Sequence, residues 1–177
     1  MKKYLSFTFL AAIATAALCV SANVKAAEEN MDTKAATKLS ANDKKFVKKA
    51  YKGGLTEVAN GKMAKDKAKN DATKEVAERM ITDHSKANDK LMEIAKEENL
   101  DLAKVEAEPA NMSGDNFDKE YLTMLKKDHE KDIAMFEKEA NDSASKEDSD
   151  VKKFAKDTLP TLKEHLQMVE DALGKVK

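Results

Sequence analysis

From about residue 41 to the C-terminus, apolar residues return at steps of three and four, the period of helices that bury one side. The first such stretch carries Phe46, Val47, Ala50, Tyr51, Leu55 and Val58, and beside them a face of small residues, Ala50, Gly54, Gly61, Ala64 and Ala68, with Glu57 at its middle. The second carries Ala77, Met80, His84, Ala87, Leu91 and Ala95. A third reads Leu122, Leu125, His129, Ile133, Phe136 and Ala140, and a fourth Val151, Ala155, Thr158, Leu162, His165, Val169, Ala172 and Val176. Capping and breaking residues delimit them. Ser40 with Asp43 three places on resembles a capping box, Asn70 or Asp71 starts the second helix, and the polar run from Asn141 to Ser149 separates the last two. The expected helices are 41–69, 71–99, 116–140 and 150–175.

Between the second and third helices the period is lost over about 15 residues, where Pro109, Ser113 and Gly114 mark a loop. A helix of roughly 28 residues is about 42 Å long, and about 15 extended residues at about 3.3 Å each can run back along it. Helices two and three are therefore expected to be parallel. The predicted fold is all-α, a ferritin-like four-helix bundle with one long crossover, occupying residues 41–177. Pro160 falls inside the fourth helix, where it removes a donor, crowds the carbonyl of Lys156 and bends the axis.

Ahead of the bundle the pattern differs. Lys2 and Lys3 precede an uncharged run from Tyr4 to Val20, followed by Val24, Lys25 and Ala26, the pattern of a secretory signal peptide cut after Ala26. The apolar run is short for a spanning helix, so no transmembrane segment is expected in the mature protein, and the periplasm is its expected location. Residues 27–40 show no apolar period and read as a flexible tail.

Composition narrows the chemistry. The chain has no Trp, few Gly and Pro, and one cysteine, Cys19, which lies in the segment expected to be removed. That leaves the mature chain without thiol chemistry or disulfides. Cleavage also removes three lysines and no acid, so the formal charge moves from −1 to −4. Mild acidity with lysines and acids interleaved argues against nucleic acid as a partner.

Three histidines occur, His84, His129 and His165, each near the middle of a different helix and on its apolar stripe. With Glu57 at the middle of the remaining helix, four helices can bring one carboxylate and three imidazoles to one level. A single histidine on an apolar face is most often a core residue satisfied by one partner. Three at one height, with a buried Glu that would cost several kcal/mol unpaired, point instead to a common site. Asp83, Asp128 and Glu164 each precede a histidine and are candidates to orient an imidazole on a neighbouring helix. Met80 and Met168 share helix faces with His84 and His165, a spacing that suits core filling more than copper ligation.

The residues also carry a resemblance. Gly53-Gly54-Leu55-Thr56-Glu57-Val58 with Gly61, Met80-Ile81-Thr82-Asp83-His84, Phe117-Asp118-Lys119-Glu120-Tyr121-Leu122 leading to Asp128-His129, and Leu159-Pro160 leading to His165-Leu166 resemble, in this order, a bacterial envelope family known as domain of unknown function 4142. The resemblance covers about Asp43 to Leu173. It implies a ferritin-like four-helix fold in an exported protein and no established activity. Ferritin-like di-iron proteins use Glu-x-x-His motifs. Here Ile81, Lys126 and Leu162 stand three places before the histidines, so a standard di-iron centre is not expected.

The expected function is binding of a single divalent metal ion (zinc, copper, iron or manganese) by Glu57, His84, His129 and His165, with a stress-protective role. The alternative is a non-catalytic envelope protein that binds another envelope protein and keeps the Glu/His cluster for structure. No catalytic residue is expected, and a binding role is favoured over an enzyme.

Overall fold

A computed structural model describes residues 39–145 and 149–176. The expected signal peptide and nearly all of the expected tail lie outside them. Four helices form, α1 (Ala41–Lys67), α2 (Asp71–Glu97), α3 (Phe117–Ala140) and α4 (Asp150–Leu173), and no strand occurs among the described residues. No helix there is long and apolar enough to cross a membrane.

Local sequence accounts for the helix ends. Ser40 accepts a hydrogen bond from the Asp43 N–H while the Asp43 side chain accepts one from the Ser40 N–H, a complete capping box. Asn70 and Ser149 cap α2 and α4 through their side chains, whereas Asn116 at the start of α3 makes no such bond. The α1–α2 turn is held instead by Asp118, whose carboxylate accepts from the backbone N–H groups of Lys69 and Asn70. Helix α4 continues through Pro160, which is exposed. Leu39 departs from the expected tail: it is buried against the core, and its N–H donates to Glu98.

Helix α1 packs mainly on α2 and α3 on α4, and narrower seams join α2 to α4 and α1 to α3. The core is divided into two apolar clusters. One gathers Phe46 and Val47 from the start of α1, Leu91 and Ile94 from the end of α2, Phe136 from the end of α3, and Val151 and Phe154 from the start of α4. The other gathers Ala64 from the end of α1, Val76 and Met80 from the start of α2, Phe117, Tyr121 and Leu125 from α3, and Val169 from the end of α4. This distribution makes α2 and α3 parallel. The connection between them must run the length of the bundle, and it does: Leu100 and Leu102 pack on the first cluster, Ala110 and Met112 on the second. On the way it is tied to α1, with the Glu108 N–H donating to Thr56 Oγ1 at 2.9 Å and the Ala110 N–H to Asn60 Oδ1 at 2.9 Å.

The small-residue face of α1 proves to be its core face, while Leu55 and Val58 are only half-buried. The reason is the close approach of α2. A Cβ at Gly61 would lie 2.9 Å from Ile81 Cγ1 and 3.1 Å from the backbone oxygen of Ala77, and one at Gly54 would lie 2.3 Å from Asn88 Oδ1. Met80, at helical spacing from His84, is fully buried in the second cluster.

Gly61→Ala should therefore destabilise the protein although alanine favours a helix by about 1 kcal/mol, because overpacking against a backbone carbonyl typically costs about 1–3 kcal/mol. Chemical denaturation would show a lower midpoint, and an unchanged or higher midpoint would disprove the close approach.

Candidate metal centre

Near its middle, each of the four helices carries a polar residue where the stripe would otherwise be apolar. Glu57 comes from α1, His84 from α2, His129 from α3 and His165 from α4. All four are buried, at 4, 7, 0 and 1 % exposure, between the two apolar clusters. The imidazole centroids lie 5.6 Å (His84 to His129), 5.3 Å (His84 to His165) and 5.3 Å (His129 to His165) apart. Each ring offers one nitrogen within 4.8 Å of the others'. Glu57 joins from the side, with Oε2 2.8 Å from His84 Nε2 and Oε1 3.3 Å from His129 Nδ1.

The outward partners fix which nitrogens carry hydrogen. His129 Nδ1 is 3.1 Å from the Leu125 carbonyl oxygen, and its other near neighbour, Glu57, is also an acceptor, so Nδ1 bears the proton and donates to Leu125. His165 Nε2 is 3.0 Å from Asp83 Oδ2. Partial burial works to raise the Asp83 carboxyl, but its bonds to Arg79 and His165 outweigh that and hold it below the usual carboxylate range. Asp83 is thus an acceptor, and His165 Nε2 bears the proton.

The inner nitrogens, His129 Nε2 and His165 Nδ1, face one another at 3.2 Å. Burial lowers both imidazoles, His165 to about 4, so at neutral pH both rings are uncharged and each has already placed its one hydrogen outward. Two lone pairs then point at each other with no hydrogen between them. A cation between them removes the conflict. Two nitrogens bound tetrahedrally to one ion at about 2.0–2.1 Å would sit about 3.3 Å apart, close to the separation seen.

Glu57 and His84 behave differently. Burial opposes both charges, yet the attraction between them prevails, holding the Glu57 carboxyl low and the His84 imidazole high. Their 2.8 Å approach is not aligned as a hydrogen bond, and Glu57 Oε1 and His84 Nε2 have no hydrogen-bond partner. The two polar atoms are buried and unsatisfied, which is costly.

Of the three acids that precede histidines, only Asp83 reaches an imidazole; Asp128 pairs with Lys131, and Glu164 lies 3.6 Å from Arg79. Two further residues belong to this region and were not singled out from sequence. Asn88, four places after His84, is buried against Gly54. Asp132, three places after His129, is half-buried on the α1–α3 seam, and burial together with the charge of Glu57 raises its carboxyl to about 7. The His-x-x-Asp spacing that puts Asp132 on the face of His129 was the available signal.

The lowered histidines give the metal-free protein an acid limb. His165 takes up its proton near pH 6.5 when unfolded but only near 4 when folded, so the unfolded state binds more protons in that window and stability falls as pH drops through it. The loss attributable to His165 is about 3 kcal/mol, and His129 acts in the same direction. His84 acts oppositely: its contribution is complete below about 6.5 and fades as pH rises through its higher folded value. Urea denaturation with a chelator present should show a flatter acid limb in His165→Gln than in the wild type. Parallel limbs would show that His165 is already protonated in the folded state.

Comparison with known proteins gives one match. None of the curated proteins and none of the solved structures matches the chain. Residues 28–172 match the family described as Domain of unknown function (DUF4142), which takes in all four helices almost to the end of α4. Most of the chain is covered, and the protein belongs to this family of unknown function.

Proposed function

We propose that the protein binds one divalent metal ion among His84, His129 and His165 in the middle of the bundle. The observation that carries this reading is the 3.2 Å approach of His129 Nε2 to His165 Nδ1 with an acceptor behind each ring, the Leu125 carbonyl and the Asp83 carboxylate, which assigns the hydrogens outward and leaves the facing nitrogens as acceptors. The outer contacts are those that metal-bound imidazoles use. Asp83 stands behind His165, and the Leu125 carbonyl, with Glu57 beside it, stands behind His129, orienting each ring and raising its basicity.

Drawing the widest pair of nitrogens from 4.8 Å to about 3.3 Å requires a side-chain movement of about 1.5 Å. His84 is the natural mover, since its only close polar contact is the misaligned one to Glu57. In this reading Glu57 takes the oxygen-ligand position beside His84 and compensates the charge of the ion. Nitrogen ligands with one carboxylate suit zinc, copper(II), iron or manganese. The signal-like N-terminal sequence supports an exported, periplasmic protein, where tying up a metal ion would serve a protective rather than a catalytic role. The competing reading is a metal-free polar layer that fixes helix register, favoured by the Glu57–His84 ion pair.

Calorimetry with zinc, copper, manganese and iron salts should give one ion per chain for at least one metal, and saturation should raise Tm by mass action. Affinity should weaken as pH falls through the raised folded pKa of His84, because the ion must displace the proton that Glu57 favours on that imidazole, whereas the lowered His129 and His165 are already free of theirs. His84→Ala should abolish the metal-dependent gain in Tm, Asp83→Asn should reduce affinity by about 10–100-fold, and Glu97→Ala, on an exposed position of α2, should leave both unchanged. Binding no tighter than about 10 µM for every metal, near −7 kcal/mol, would favour the metal-free layer.

A further inference from the structure

A buried site needs a way in, and the two seams beside the histidines differ. On the α2–α4 side a groove passes Arg79, Asp83 and Thr161, but Asp83 closes its inner end, bonded to Arg79 outside and to His165 inside. On the α1–α3 side a cleft of about 260 Å³ reaches a member of the cluster itself: Glu57 lies on its wall together with Gly53, Thr56, Asp128 and Asp132. The Glu57 oxygen nearest to His129, Oε1, is buried and accepts no hydrogen bond. The outer rim carries three lysines: Lys52 is paired with Glu108 of the crossover at 2.6 Å and Lys131 with Asp128 at 3.1 Å, while the charge of Lys49 acts on Asp132 and favours its carboxylate form.

We propose that the α1–α3 cleft is the passage by which a divalent cation reaches the three histidines, with Asp132 and Glu57 as the carboxylates that capture it on the way. The inference rests on the metal-binding reading above and adds a route and a residue to it. Asp132 and Glu57 sit on facing helices at the inner end of the cleft, and a divalent ion between them relieves the repulsion of two partly desolvated carboxylates. Gly53 keeps the passage open. A Cβ there would meet only Asp132 Oδ2, at 3.9 Å, so position 53 borders the cleft without touching the neighbouring backbone. A longer side chain at that position fills the passage and leaves the histidines where they are.

The test is stopped-flow loading and release of Co²⁺, followed by its visible absorption, in purified wild type, Gly53→Leu, Asp132→Asn and Thr161→Leu. Blocking a path slows entry and exit alike, so Gly53→Leu should lower both rates severalfold with the equilibrium affinity unchanged. Leucine is also the better helix former, which protects the fold. Asp132→Asn should lower the loading rate and weaken binding by at least about tenfold, the effect typical of losing a carboxylate next to a metal site. Thr161→Leu, on the opposite groove, should load like the wild type. If wild type binds Co²⁺ but Gly53→Leu and Asp132→Asn load at its rate, the passage is overturned and the metal site stands. Slow loading in Thr161→Leu alone would place the entrance on the α2–α4 side and equally overturn it. A wild type that takes up no Co²⁺, zinc or other divalent ion overturns the metal site itself.

Discussion

The constraint on which the interior depends is that a layer of four ionisable side chains lies between two apolar clusters, with no bulk water to solvate it. Buried polar groups are tolerated when each hydrogen and each lone pair has a counterpart. The layer meets that condition at its edges, where Leu125 and Asp83 accept the outward hydrogens of His129 and His165. It fails at the centre, where two acceptor nitrogens face one another, and beside it, where His84 and Glu57 meet off-axis. A fold that commits its outer contacts so fully fixes the rings rather than letting them turn to satisfy each other. The metal ion proposed above would supply the missing counterpart at the centre.

The remainder of the architecture serves this layer. Helix α1 can present Glu57 inward only because Gly54 and Gly61 let α2 approach to within contact of its backbone, which shortens the reach from Glu57 to His84. The parallel arrangement of α2 and α3, imposed by the long crossover, places His84 and His129 in the bundle with their helices running the same way. The crossover in turn is fastened along α1 by Thr56 and Asn60, one residue before and three residues after Glu57. Its contacts thus converge on the turn of α1 that carries the carboxylate, and Glu108 from the same segment forms part of the cleft wall.

The electrostatics divide the cluster into two halves. His129 and His165 are held neutral by burial and so remain available as ligands at neutral pH, whereas Glu57 favours the charged form of His84. Arrival of a metal ion would convert the second half into the first, exchanging the His84 proton for the ion and leaving Glu57 with the same task of compensating a buried positive charge. The site needs no new charge partner to change state.

Periodicity, caps and loop chemistry determined the helices almost to the residue, because those signals act within a few positions of the chain: Ser40 with Asp43, Asn70 and Ser149 all appear as caps. The parallel α2 and α3 followed from the length of the crossover alone. The level of Glu57 and the three histidines was legible too, since a mid-helix position in each of four antiparallel or parallel rods of similar length leads to one plane. What the sequence could not fix was anything that depends on which helices are neighbours. Leu55 and Val58 yielded the core face of α1 to small residues because α2 comes too close for larger ones. Only the α2–α4 seam turned Asp83, alone of the three acids before histidines, toward an imidazole, and only the α1–α3 seam brought Asp132 beside Glu57. The tautomers of His129 and His165, and with them the unmatched lone pairs, exist only once these two rings have their outward partners. Hydrogen direction is a property of contacts between helices, and no period within one helix encodes it.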